Sequence, residues 1–461
     1  MKYSSTRGGA DPVDFLTACL AGLAPDGGLY VPEAYPSLEP LSQTASYVDW
    51  ASYILSAFAG DALDDADVRM LCERAYESFS HAAVTPLNQI APAHFLLELH
   101  HGPTLAFKDV AMQFIGQLYE LALERMDRTM TVLCATSGDT GGAAAAAFAG
   151  LDRVKLVILH PEGRISPVQR LFMTTTGAPN VHNLALSGSF DDCQSIVKEL
   201  FADTDLVSTV GLSGVNSINW ARIAAQSVYY AYAQAQVGTG RPIRFVVPSG
   251  NMGDALAGYV AARCGLLSGF EAVCAVNENQ ALVDVFETGQ MAKGKTVPTP
   301  SPAMDITVPS NLERVLFDAS GRDSETIRAL YASFAQSGDV HLPQSISGPL
   351  GCMGLSARPV SNAITLDEVA YQLDEAGELI CPHTAVGTSV ARSMPNADDV
   401  VTVTLATAHA AKFPETVKDA TGHDAPLPAR CEGALSNREV YETCDADVSA
   451  VRRYMLGLQT A

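Results

Sequence analysis

The chain has 461 residues, 48% hydrophobic and 17% charged, a balance that excludes a disordered polymer and predicts two or three domains with sizeable cores. A net charge of −22 argues against nucleic acid and anionic membranes as partners, since both need basic patches. No apolar signal region opens the chain and no uncharged run reaches the length of a membrane span, so a cytoplasmic protein is expected. Ten scattered cysteines, without CxxC or a His-Cys cluster, point to reduced thiols and no metal site.

In chain order, residues 1–84 predict a mainly helical N-terminal lobe, with helices in DPVDFLTACLAGLA and YVDWASYILSAFAG on either side of a turn-rich break. HFLLELH is of strand length, and KDVAMQFIGQLYELALERM repeats apolar residues at helical spacing. From 131 to about 205, strand and helix alternate: TMTVLCAT, GAAAAAFAGL, VKLVILHP, ISPVQRLFMTTTG, VHNLALSG, SFDDCQSIVKELFAD. That alternation is the mark of an α/β fold with a parallel sheet and crossover helices. A long helix follows in NWARIAAQSVYYAYAQAQ, then a strand–turn–helix unit in RPIRFVVPSGNMGDALAGYVAARC. Residues 288–312 are rich in Pro, Gly, Ser and Thr and read as a loop. DSETIRALYASFAQSG reads as a helix and DVVTVTLATAHAAKF as a late strand with a polar turn.

Three turns and one lysine carry chemistry. PSGNMGD, residues 248–254, joins a strand to a helix. Unpaired N–H groups at a helix start attract anions and glycines admit close approach, so a phosphate cradle and an ordinary capped turn are both open there. ATSGDTGG has the same form, and Ser137 and Thr140 are placed either to hold a carboxylate or merely to flank a capped βα turn. NSINWAR brings Ser217, Asn219 and Arg222 close together, as an anion grip or as a helix cap beside a solvated arginine. Lys108 follows Gly, Pro, Thr, Leu, Ala and Phe in HGPTLAFKD. It is either a lysine with its amine in water or a sheltered amine kept nucleophilic by burial and nearby cations. A sheltered lysine, a phosphate cradle and a carboxylate turn on parallel-sheet loops together suit a pyridoxal phosphate enzyme.

YSSTRG, LAPDGGLYVP, HGPTLAFKD, ATSGDTG, GRISPVQ, NSIN-x-x-R, PSGNMGD, PAMDI and TAHAAKF occur in this order along nearly the whole chain. The set resembles the threonine synthase family, in its longer bacterial and fungal branch. The resemblance implies a fold-type II pyridoxal phosphate enzyme, like the β subunit of tryptophan synthase, that turns O-phospho-L-homoserine and water into L-threonine and phosphate. It implies Lys108 as the Schiff-base lysine and proton shuttle. Gly250, Asn251, Met252 and Gly253 would bind the cofactor phosphate, with Asp254 closing the loop and Thr407 facing the pyridine nitrogen. Ser137, Gly138, Asp139 and Thr140 would lie at the substrate carboxylate, and Ser217, Asn219 and Arg222 at its phosphate. Met252 and Ala406 stand where the family commonly has Phe and Gly, and Ala410 where it frequently has Pro. The expected domains are an N-terminal lobe over 1–84, a large cofactor domain over 85–130 and 213–461, and a small domain over 131–212, in a monomer or homodimer. A phospholyase giving a 2-oxo acid, or a non-catalytic ligand-binding relative, are the alternatives.

Overall fold

The structure, a computed structural model, describes residues 1–238, 240–395 and 399–459. Two parallel sheets organise it. The first runs, edge to edge, Leu355–Pro359, Phe270–Val276, Ile243–Pro248, Val401–Ala406, His94–Glu98, Leu87–Ala91, and only the last pair is antiparallel. The second runs Glu442–Cys444, Val181–Leu186, Val154–Pro161, Met130–Ala135, Leu212–Ser213, all parallel. The inner strands Val154–Pro161, Val181–Leu186 and Ile243–Pro248 are almost wholly buried because helices cover both faces of the sheets, while the edge strands are partly exposed.

Alternation along the second sheet divides its residues between two cores. Leu133, Val157, Leu159, Leu184 and Leu186 face helix Phe190–Ala202 and the C-terminal residues Val451 and Met455. Val132, Cys134, Leu156 and Ile158 turn the other way, into the main core that holds helices Lys108–Met126 and Asp139–Phe148. The lysine helix therefore lies where the two sheets meet.

The expected boundaries shift in two places. Strand Glu442–Cys444 pairs with Val181–Leu186, and helix Val448–Gly457 packs on the same sheet, so the C-terminus completes the small sheet and leaves the large domain. The N-terminal lobe has no core of its own: Tyr3 and Phe58 pack their rings against Trp220 at 5.9 and 5.6 Å, inside the main core. The loop-rich stretch is tightly pinned. Thr299 and Asn277 both donate to the Asp305 carboxylate, at 2.6 and 2.8 Å, and Gln290–Ala292 forms a short antiparallel pair with Asp339–His341. The first helix is capped by Asp14, three residues past the expected Asp-Pro start, because the Asp14 carboxylate reaches the Thr17 N–H at 2.8 Å. Among the described residues no helix is long and apolar enough to cross a membrane, and no group of His, Cys, Asp or Glu is placed to hold a metal ion.

The C-terminal assignment has a direct test. Met455 is fully buried against the small sheet. Met455→Ala should lower unfolding free energy by about 2–5 kcal/mol in urea denaturation. A change near zero would place the C-terminal helix outside that core.

Candidate active site

Helix Lys108–Met126 starts abruptly, and the turn before it fixes the lysine. The Asp109 carboxylate accepts from the Thr104 N–H at 2.8 Å and the Thr104 hydroxyl at 2.5 Å, folding HGPTLAFKD back on itself. A side chain at residue 102 would collide with Asp109, which explains Gly102. Leu105, fully buried, sits in the left-handed region at φ 62°, a strained state for a non-glycine residue that the surrounding turn imposes. Phe107 donates its N–H to the Thr407 carbonyl at 2.8 Å and His409 donates to the Leu105 carbonyl at 3.0 Å. These bonds lock the lysine turn to the exit of strand Val401–Ala406, so Lys108 and Thr407 share one corner.

Lys108 points into a buried cluster. Its Nζ lies 3.3 Å from Asp139 Oδ2, while a second lysine, Lys412, reaches Asp139 Oδ1 at 2.9 Å. Lys412 also donates to the Thr104 carbonyl at 2.6 Å, and Gln169 donates to Asp139 Oδ1 at 2.8 Å. Burial pushes the Lys108 amine below its usual range; Asp139 opposes this, and the cations of Arg222 and Lys412 reinforce it. Burial alone would raise Asp139, but Lys412 and Lys108 outweigh it and hold the carboxylate ionised, far below its usual range. His383, at the start of helix Pro382–Ser393, accepts from the Ala303 N–H at 3.1 Å and is pushed down to about 4, chiefly by burial.

The SGNMG turn lies at the C-terminal end of strand Ile243–Pro248 and opens helix Gly253–Arg263. Met252 takes a left-handed conformation at φ 60°. A Cβ on Gly250 would press on the Ala303 carbonyl and Ile306 at 3.0 Å, so PAMDI closes the outside of the cradle. The Asn251 side chain accepts from Ser310 Oγ at 3.1 Å, and its carbonyl accepts from the Asn311 N–H at 3.1 Å. Asn311 in turn donates to the Ser217 carbonyl at 3.0 Å, which joins the SGNMG turn to the Ser217 loop. Arg314, buried to 1% exposure, clamps this junction: it donates to Asn311 Oδ1 and the Ile218 carbonyl, both at 2.6 Å, and to the Tyr30 carbonyl at 3.0 Å. Glu313 beside it takes the Thr6 hydroxyl at 2.6 Å and Arg7 at 2.8 Å. The N-terminal YSSTRG and GGLYVP stretches are thus structural braces for the cradle.

Arg222 is buried, and its Nε has no partner among the described residues. Burial lowers it to about 10, so it remains a cation at neutral pH. Ser217 Oγ meets Ser310 Oγ at 3.3 Å. Ser137 and Thr140 lie partly exposed around the start of helix Asp139–Phe148. Gly138 stands at φ 137°, where a Cβ would strike Gln169.

Four expected contacts change. The Asp139 side chain serves the two lysines, and a carboxylate facing them cannot supply a donor to a substrate carboxylate. Asp254 turns its carboxyl to Tyr229 and Tyr230 at 2.5 and 2.9 Å, bracing two helices, and burial raises it to about 6. Asn219 caps its helix through the Ala221 N–H and spends its amide on Cys19 O at 2.8 Å and Tyr119 Oη at 2.9 Å, which leaves no donor for phosphate. The Met252 side chain is buried in the core, which leaves its backbone as the part that could meet a ligand. Lys412, Gln169, His383 and Arg314 are additions. Lys412 carries the signal that marks Lys108, a lysine set in an apolar Ala-Ala-Lys-Phe run.

Pyridoxal phosphate requires a sheltered amine and an anion cradle. Lys108 and the helix start at Gly253 fit it, and the unpartnered Arg222 Nε leaves a buried cation for a second anion. Fold and site together define a fold-type II pyridoxal-phosphate enzyme, with the ligand groups at the C-terminal ends of parallel strands. Residues 80–340 match the family model of pyridoxal-phosphate dependent enzymes, and residues 2–76 and 384–455 match those of the threonine synthase N terminus and C-terminal region. The chain is 40% identical to threonine synthase of Pseudomonas aeruginosa, with 99% of this chain and 98% of that protein covered. It superimposes on a pyridoxal-phosphate-bound threonine synthase from Brucella melitensis with TM-score 0.95 and 42% identity, and on the yeast enzyme with TM-score 0.92 and 33% identity. Coverage is 100% of both chains for the first, and 100% of this chain and 99% of the other for the second. The chain belongs to the threonine synthase family.

The buried His383 makes stability depend on pH. Its folded value of about 4 lies below the ordinary 6.5, so between these values the unfolded chain takes up a proton that the folded one refuses. Unfolding free energy therefore falls as pH drops from 6.5 to 4, by about 3 kcal/mol from this residue. Denaturant melts at pH 7 and pH 4.5 should show a shallower loss in His383→Gln than in wild type; equal losses would contradict the neutral buried imidazole.

Proposed function

We propose that the chain converts O-phospho-L-homoserine and water into L-threonine and phosphate by γ-elimination and β-addition of water, in the cytoplasm, as a monomer or homodimer. The observation that carries this reading is the full-length match to threonine synthases around an intact Lys108 cluster. All ten cysteines are free thiols, which suits a reducing compartment.

Bound pyridoxal phosphate supplies the electron sink for negative charge at the substrate's Cα. The protein does the rest by orientation and proton transfer. In this reading the Lys108 amine holds the cofactor and, once the substrate amine takes its place, removes the Cα proton and serves Cβ. Burial and the neighbouring cations keep that amine dischargeable. Backbone N–H groups from Gly250 to Gly253 hold the cofactor phosphate, and Thr407 offers a hydroxyl to the ring nitrogen without forcing it to be protonated. Ser137, Gly138 and Thr140 receive the substrate carboxylate. Arg222 and Ser217 hold the substrate phosphate, and Arg222 acts most as charge grows on the leaving group.

The test is product identification from O-phosphohomoserine with cofactor-loaded enzyme. Equal amounts of threonine and phosphate are expected, with Lys108→Ala at background. Arg222→Leu should lower kcat/KM by about 10²–10³-fold. Phosphate with a 2-oxo acid and no threonine would make the protein a phospholyase. A wild type that stays colourless when saturated with cofactor would make it a non-catalytic relative.

A further inference from the structure

Two buried lysines converge on one buried carboxylate, and they are not equivalent. Lys412 is fully buried, makes the shorter contact with Asp139 at 2.9 Å, and is tethered from behind by the Thr104 carbonyl at 2.6 Å. Lys108 retains slight exposure, makes the longer contact at 3.3 Å, and has no other hydrogen-bond partner among the described residues, only the face of the Phe107 ring at 4.5 Å. A buried charge left alone is strongly destabilising. Were Lys108 the sole partner of Asp139, every departure of Lys108 would orphan the carboxylate, and the pair would hold the amine protonated. With Lys412 and Gln169 on Oδ1, Asp139 stays paired whatever Lys108 does.

We propose that Lys412 is a positioning residue for Lys108: it is the permanent counter-ion of Asp139, and so leaves the Lys108 amine free to discharge, bind the cofactor carbonyl and carry protons. The charged and titratable groups facing Lys108 are Asp139, Lys412, Arg222, His383 and Asp254. Of these, only Lys412 is an added cation bonded to the same carboxylate as Lys108. The two helices carrying Asp139 and Gln169 belong to the small-sheet half, while Lys412 follows the last strand of the large sheet, so the Lys412–Asp139 pair also ties the two sheets across the site. The proposal rests on Lys108 being the cofactor lysine, but its test needs neither substrate nor turnover.

The test is acetylation of Lys108 in the apoenzyme by acetic anhydride over a pH series, read by mass spectrometry of the Lys108 peptide. Lys412→Gln leaves an amide donor on a slightly shorter side chain but removes the charge. Its labelling midpoint should move up by about one pH unit, a roughly tenfold loss of reactivity at fixed pH below the midpoint. Lys412→Arg should return the midpoint towards wild type. An unchanged midpoint in Lys412→Gln, or an arginine variant that behaves like the glutamine one, would overturn the proposal. Thermal melting of the Lys108→Met apoenzyme, which keeps the apolar stem and removes the charge, gives a second reading that survives if Lys412→Gln does not fold. Asp139 keeps its partner there, so a wild-type melting temperature is expected, and a large fall would show that Lys108 is the needed counter-ion. Failure of the threonine reading would show in the products and leave the labelling result unaffected.

Discussion

The site depends on one buried carboxylate held between two lysines. Asp139 sits at the head of the small-sheet helix, and both ammonium groups that reach it come from the large-sheet side. In water such contacts are worth little; in a dry interior an unmatched charge is severely unfavourable. The cluster therefore dictates how the two halves meet and leaves only one of the lysines free to react. The surrounding cations push the Lys108 amine the same way as burial, towards the neutral form that attacks a carbonyl.

Around this centre the chain spends much of its sequence on bracing. Arg314 spends its hydrogen bonds on Asn311, Ile218 and Tyr30, which hold together the SGNMG turn, the Ser217 loop and the N-terminal strand pair. Glu313 draws Thr6 and Arg7 onto the same helix. Preorganised donors are effective because they need not move when charge develops, and these braces keep the SGNMG turn and the Ser217 loop in fixed register. They explain why YSSTRG and GGLYVP accompany the catalytic motifs while touching none of the proposed reacting groups.

Period and punctuation made much of this legible. Lys108–Met126 is a helix because its apolar residues recur at helical spacing and its entry turn demands Gly102; the strands of the small sheet are β-branched runs separated by glycine turns. Helix Pro382–Ser393 was not legible. It is buried on all sides, so its Thr, Ala, Gly and Ser residues show no polar face from which to read a period. Side-chain direction was equally hidden. Asp139, Asn219 and Asp254 all gather near the expected ligands, but their polar groups turn to lysines, a backbone carbonyl and tyrosines. Lys412 escaped for a related reason: TAHAAKF draws attention to the hydroxyl at its start, and only the fold brings its lysine back to Thr104.

The division of labour between the two lysines is the point on which the account turns. Borohydride reduction of the cofactor-loaded enzyme fixes the cofactor to whichever amine carries it, and peptide mass spectrometry then reads the site. The pyridoxyl mass is expected on the Lys108 peptide alone. The same mass on the Lys412 peptide would contradict it.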